Sequence, residues 1–278
     1  MSTAAPSSGA SGPRPKSEIF SWPRWLLLVR ARWTEQRRQY AAHMLVTAIL
    51  YCVLLVLVLW STDFKGFTTE AQSGLYFGGL YITGCVFAGR YFQAMARRES
   101  ALQALMLPAS LCEKWLLCLL LVALVYPLFY SLLFLAISWP VQQLVLAALP
   151  QGPAIKFDPR NYALFVPFVD VSENSPAQPQ WGLLIGLWIL QALAVSGTLY
   201  FQRAAMLKTQ VLIFGLLVFS SIWWIAVDAR GEVIFAWWML DGGSGKPLTH
   251  VINSLLWIGL PILLWLQVFL HLKERELL

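Results

Sequence analysis

Charge is scarce in this chain, and what there is avoids six long stretches. Asp, Glu, Lys and Arg make up 12% of the residues, where soluble domains carry about 25%. Residues 43–60, 74–92, 115–135, 181–201, 209–227 and 250–272 hold almost none of it. Arg90 is the exception, a turn from the end of its stretch, where a long stem reaches out to headgroups. Histidine is nearly missing as well. His43, His250 and His271 each sit near a stretch end, with no HExxH pattern and no clustered carboxylates, which disfavours an intramembrane metalloprotease. Ser196 lies mid-stretch without a histidine or lysine at its depth, so a serine protease is disfavoured too. The loop DGGSGKP at 241–247 lacks both the first glycine and the final Ser/Thr of a phosphate-binding loop. Cys52, Cys85, Cys112 and Cys118 fall in or beside the apolar stretches, without CxxC spacing, which excludes a disulfide framework and a zinc or redox pair. No catalytic residue, metal ligand or cofactor site is identified in the chain itself.

What is present is apolar length. A helix rises ~1.5 Å per residue and the hydrocarbon core is ~30 Å thick, so each of the six stretches is long enough to cross. The expected fold is an all-α polytopic membrane protein with six transmembrane helices. Placing the N-terminus in the cytoplasm leaves only Lys65, Lys156, Arg160, Arg230 and Lys246 of the 20 basic residues outside. Both termini are then cytoplasmic, and the net charge of +6 reports orientation in a membrane rather than nucleic-acid binding. Residues 1–21, rich in Ser, Ala, Gly and Pro, read as a disordered cytoplasmic tail without the apolar core of a signal peptide. Residues 22–40 read as an amphipathic membrane-surface helix, with Leu26, Val29, Trp33 and Tyr40 on one face and Arg37 close beside it. The six-helix domain fills 41–278, with an outer loop at 136–180. In that loop Val141–Leu149, between Pro140 and Pro150, reads as an interfacial helix. Glu232–Leu240, before the sixth span, reads as interfacial or re-entrant.

The second span carries Gly74, Gly78, Gly79, Gly84 and Gly89, a composition that permits close helix approach, with Gly74 and Gly78 forming a GxxxG. An interior position is expected for it. Tyr76, Tyr81 and Thr83 in this span, with Ser220, Ser221 and Trp224 in the fifth, are the candidates for lining a translocation pathway. Their apolar and aromatic character suits an amphipathic cargo better than an ion. The segment after the second span mixes charge (Arg97, Arg98, Glu99) with Leu102, Leu105, Met106 and Leu107, then turns a corner at Pro108. Ser110 and Glu113 have the spacing of a capping box at the head of the third span. A short amphipathic helix that cannot bury its own Leu/Met side points to docking with another protein.

Here the chain resembles a family. ALMLPASLCEKWLL is similar to an LPxSxxEK signature between spans two and three of small bacterial ATP-binding-cassette permeases. YFQRAAMLKT after span four and the terminal LKERELL are similar to the basic turn and charged tail of the same proteins. The resemblance spans roughly residues 40–278. It implies a type-2 ABC exporter-like fold with an N-terminal amphipathic lead-in helix at Trp25–Tyr40 and a coupling helix at Arg97–Leu107. Arg97, Arg98, Glu99, Leu102, Leu105, Met106 and Glu113 would couple the chain to separate ATPase subunits that bind ATP and Mg. A second permease copy, or a homologous permease, would complete the assembly in a bacterial inner membrane. The implied function is export of an amphipathic, lipid-like or peptide cargo. The long outer loop departs from the compact pattern and leaves open an outer-side protein partner through 140–180. The alternative function is a non-transporting subunit that relays ATPase motion to that partner. A membrane enzyme ranks last, because no paired ionisable groups lie at membrane depth.

Overall fold

The computed structural model describes residues 20–62, 67–91, 110–148, 162–169, 177–201, 204–228, 251 and 255–277, nearly all of them helical. The expected coupling helix at 97–107, most of the tail at 1–21 and the segment Glu232–Leu240 lie outside the described residues. The first helix, α1 (Trp22–Ser61), runs for 40 residues, about 60 Å at the α-helical rise. No glycine or proline occurs between Trp25 and Ser61, and Pro23 sits in the first turn, where its missing N–H costs nothing. The sequence reading separates a surface helix at 22–40 from a span starting at 43; the structure runs the two together without a break. Then follow α2 (Thr69–Tyr91), α3 (Leu111–Leu119), a π-helical turn (Leu120–Val125) and α4 (Tyr126–Ala148). The chain continues with α5 (Ala177–Tyr200), α6 (Ala205–Asp228), a second π turn (Leu255–Gly259) and α7 (Leu260–Leu277).

Both π turns have the same neighbour in sequence. Pro127 follows the first by two residues and Pro261 follows the second by two. A proline ring clashes with the carbonyl four residues earlier and offers it no N–H, so the helix widens ahead of it. For Pro127 that carbonyl belongs to Ala123, and the indole N–H of Trp188 on α5 donates to it at 2.9 Å. Pro140, by contrast, sits inside α4 without ending it. The expected interfacial helix at Val141–Leu149 is therefore, through Ala148, the last two turns of the same long helix.

Among the described residues, three helices are long and apolar enough to cross a membrane, Trp22–Ser61, Leu111–Ala147 and Gln180–Tyr200, with a shorter apolar helix at Ala205–Phe219. The distribution of side chains on α1 agrees with a lipid environment. His43, Thr47 and Tyr51 share its buried stripe, while Leu45, Val46, Ile49, Val53, Val56 and Leu57 are exposed. Its polar groups in this stretch face in, with Leu55, while most of its aliphatic ones face out, the reverse of a water-soluble helix. The chain is a polytopic helical membrane protein.

At the centre, α5 packs against α2, α6 and α7. The interior position expected for the second span is what α2 occupies, but the close approaches are not made by its GxxxG. Added side-chain carbons at Gly74 and Gly78 would meet nothing, whereas one at Gly84 would come within 3.3 Å of Leu187 Cδ1. One at Gly89 would lie 3.0 Å from Gln210 Nε2, and one at Gly79 would strike the Tyr130 hydroxyl. These three glycines lie five residues apart and so point to different sides of α2, each where another helix presses in.

Candidate functional site

Two regions bear on the residues singled out from the sequence. The first is a joint between the head of α1 and the head of α3. The Ser110–Glu113 capping box forms as expected: Glu113 N–H donates to Ser110 Oγ at 3.2 Å, and Ser110 N–H donates to Glu113 Oε2 at 3.0 Å. The third participant has no local signal in the sequence. Arg24, from the first turn of α1, grips the same carboxylate, with Nε 2.9 Å from Oε2 and Nη2 2.8 Å from Oε1. Ser21 N–H adds a bond to Oε1 at 2.9 Å. Every partner of this fully buried side chain is a donor, so the arrangement holds it as a carboxylate. Glu113 thus spends its bonding capacity inside the chain, tying the head of α1 to the head of α3. Arg97, Arg98, Glu99, Leu102, Leu105 and Met106 lie outside the described residues.

The second region is the aromatic interior around α2. Tyr76 is fully buried among Phe77, Tyr130, Phe134 and Phe165, and its hydroxyl pairs with Ser131 Oγ at 2.7 Å. A parallel pair links Tyr51 of α1 to Ser138 of α4, also at 2.7 Å. Thr83 lies two turns below Tyr76 on the same face and donates to the Gly79 carbonyl of its own helix at 2.6 Å. Tyr81 points elsewhere, to α5, where it donates to the Leu183 carbonyl at 2.6 Å. Tyr76 and Thr83 are therefore brought onto one face and Tyr81 is not, because five residues turn the helix by about 140°. Ser220, Ser221 and Trp224 belong to α6 by backbone, and their side chains lie outside the described residues.

Gln191 is the interior residue that the sequence reading missed. It is fully buried on α5 beside Gly84 and Tyr126, and neither end of its amide has a hydrogen-bond partner among the described residues. The hydroxyl of Tyr130 and Nε2 of His43 are buried without partners in the same sense. Buried polar groups are nearly always paired, so an unpaired amide in a membrane bundle marks a place where something polar belongs. Its signal in the sequence was faint: a single Gln in the run WILQALAV.

At the N-terminal end of α2, glutamines hold residues 162–169. Gln72 accepts from Phe165 N–H at 3.0 Å and donates to the carbonyls of Phe67 and Ala163, each at 3.3 Å. Gln142 donates to the Tyr162 carbonyl at 2.8 Å, and Gln180 accepts from Phe168 N–H at 2.6 Å. Residues 162–169 are thus drawn into the bundle end, with Phe165 as a buried plug.

Among the described residues no group of His, Cys, Asp and Glu is placed to hold a metal ion. Comparison of the chain with protein families, with curated proteins and with solved structures returns no match.

Proposed function

We propose that this chain is the permease subunit of an ATP-driven transporter of the ABC type, exporting an amphipathic, lipid-like or peptide cargo from a bacterial cytoplasm. In this reading six spans cross the inner membrane with both termini cytoplasmic, and separate ATPase subunits dock on the 97–107 segment. The observation that carries it is the Arg24–Glu113 joint. A push delivered through 97–107 arrives at Ser110, where the head of α3 is locked to the head of α1 by a buried, multiply bonded carboxylate. Two helices would then move as one, which is what coupling between an ATPase and a membrane bundle requires. The unpaired Gln191 amide, beside the interior face bearing Tyr76 and Thr83, is the polar point a passing cargo would meet.

The test is affinity purification in mild detergent with mass spectrometry of what co-elutes. A stoichiometric nucleotide-binding subunit is expected, and Leu102→Asp with Leu105→Asp should strip it away while insertion stays normal. Retention of that subunit at full yield by the double variant would refute the docking surface, and its failure to co-elute with the native chain in several detergents would refute the reading. The second reading, a relay to an outer-side protein, draws support from the plugged 162–169 segment, which offers a fixed surface within the 140–180 loop. An outer-side protein that co-elutes with the native chain and is lost when 140–180 is replaced by a short linker would favour it.

A further inference from the structure

We propose that the groove between α1 and the first π turn is a specific site for one anionic glycerophospholipid, its acyl chain in the groove and its phosphate at Arg37 and Arg38. The groove has a volume of about 630 Å³, within the 300–1,000 Å³ range of small-molecule sites. Its walls are apolar: Met44 from α1, Leu121 and Val125 from the π turn, and Phe129 from α4. Phe87 and Tyr126, stacked with ring centroids 4.5 Å apart, form its floor. The π turn matters because widening the helix ahead of Pro127 redirects Leu121 and Val125 from the register an unbroken α-helix would give them.

The occupant follows from the charges at one end. Trp33, Arg37, Tyr40 and Met44 recur every three or four residues and form one stripe of α1, with Arg38 alongside, and all five line the groove. Neither Arg37 nor Arg38 has an ion pair or hydrogen bond among the described residues. The nearest acid on the helix, Glu35, is engaged by Arg32 at 3.5 Å. Among the described residues no acid lines the groove. Two guanidiniums without an acidic partner among the described residues, at the mouth of an apolar, aromatic slot, match a phosphate attached to a hydrocarbon chain, since guanidinium binds phosphate oxygens in a fork. A zwitterionic lipid would bring an ammonium beside its phosphate, which two guanidiniums repel, and a helix from another protein would need an acid at this depth. Trp33, half exposed at the same end, has the amphipathic ring that settles at a headgroup boundary. The proposal does not rest on ATPase coupling, and its test does not involve an ATPase.

The experiment is native mass spectrometry of the full chain, delipidated in detergent and then offered equal amounts of phosphatidylglycerol and phosphatidylcholine. One retained phosphatidylglycerol is expected, in excess over phosphatidylcholine. A guanidinium in contact with the phosphate is worth about five-fold toward the anionic lipid, so R37Q/R38Q should abolish most of the preference. Arg30→Gln, on the same helix but outside the groove, should leave it intact. Val125→Trp, which fills the slot, should lower retention of both lipids. Equal retention of the two lipids by the native chain, or retention of neither, would overturn the proposal. So would a preference unchanged in R37Q/R38Q or lost equally in Arg30→Gln, since the charge effect would then be diffuse.

Discussion

At the scale of single residues, the two buried polar side chains Glu113 and Gln191 are opposites, and their variants should behave oppositely. Glu113 is saturated with donors, and Arg24, though its side chain is 38% exposed, supplies the charge that offsets burial of the carboxylate. Removing one partner of such a pair leaves a buried charge, so Arg24→Ala should cost about 2 kcal/mol, at the lower end for buried pairs because Arg24 is partly screened by solvent. Glu113→Gln keeps the acceptor that completes the capping box, and combining it with Arg24→Ala removes the stranded charge. The double variant should therefore be more stable than the sum of the singles predicts, by about 1 kcal/mol or more. Unfolding midpoints of the four proteins in micelles decide this; strictly additive losses would mean that Arg24 and Glu113 do not interact. For Gln191 the expected sign reverses. Its amide has no partner to lose among the described residues, so Gln191→Leu should stabilise the bundle by about 1–2 kcal/mol. If the amide serves the cargo, the same substitution should lower transport in reconstituted vesicles. Unchanged transport together with the gain in stability would reduce Gln191 to a packing defect.

At the scale of elements, glycine and proline shape this bundle, and only part of their action is visible in the sequence. That the second apolar stretch would be an interior helix followed from its five glycines, and α2 is interior. Which glycines make the contacts did not follow, because GxxxG is a pattern along one helix, whereas the contact depends on what faces it. A side-chain carbon added at Gly84 would lie 3.3–3.4 Å from Leu187, Gln191 and Tyr126, while one at Gly74 or Gly78 would meet nothing within 4 Å. Gly84→Leu should accordingly destabilise the protein by about 1–3 kcal/mol through overpacking. Gly74→Leu and Gly78→Leu should leave the unfolding midpoint unchanged. A fall for Gly78→Leu as large as for Gly84→Leu would restore the GxxxG reading. The capping box at Ser110 was legible because its two residues sit three apart and act locally. Arg24 was not, since 89 residues separate it from Glu113. Pro140 misled for a related reason. A proline ends a helix only when the flanking residues gain by leaving it, and here Val141–Ala148 continue to pack as helix, with Val145 buried.

At the scale of the whole molecule, the question is how many times the chain crosses. Short links between packed helices bear on that number. Between α5 and α6 lie only residues 201–204, with Ala204 in a left-handed conformation at φ 51°, and the two helices pack against each other. So short a turn between packed helices makes them antiparallel, and α6 returns to the side from which α5 began. Its 24 residues reach about 36 Å, enough to cross. The short link between α1 and α2 argues the same way, since only residues 62–68 separate them. The sequence carried this much through its charge-free lengths, but it placed a boundary between 40 and 43 where the helix does not break, because composition changes there while backbone preference does not. Six crossings can be read out by labelling single cysteines from one side of intact cells, with Cys52, Cys85, Cys112 and Cys118 replaced. Cysteines introduced at Lys65, Lys156 and Lys246 should react with an impermeant maleimide from outside. Those introduced at Ser8, Lys208 and Arg275 should react only after permeabilisation. If Lys246→Cys and Arg275→Cys label from the same side, the sixth crossing fails. If Lys208→Cys labels from outside, the α5–α6 hairpin is inverted, and with it the cytoplasmic placement of the Arg24–Glu113 joint.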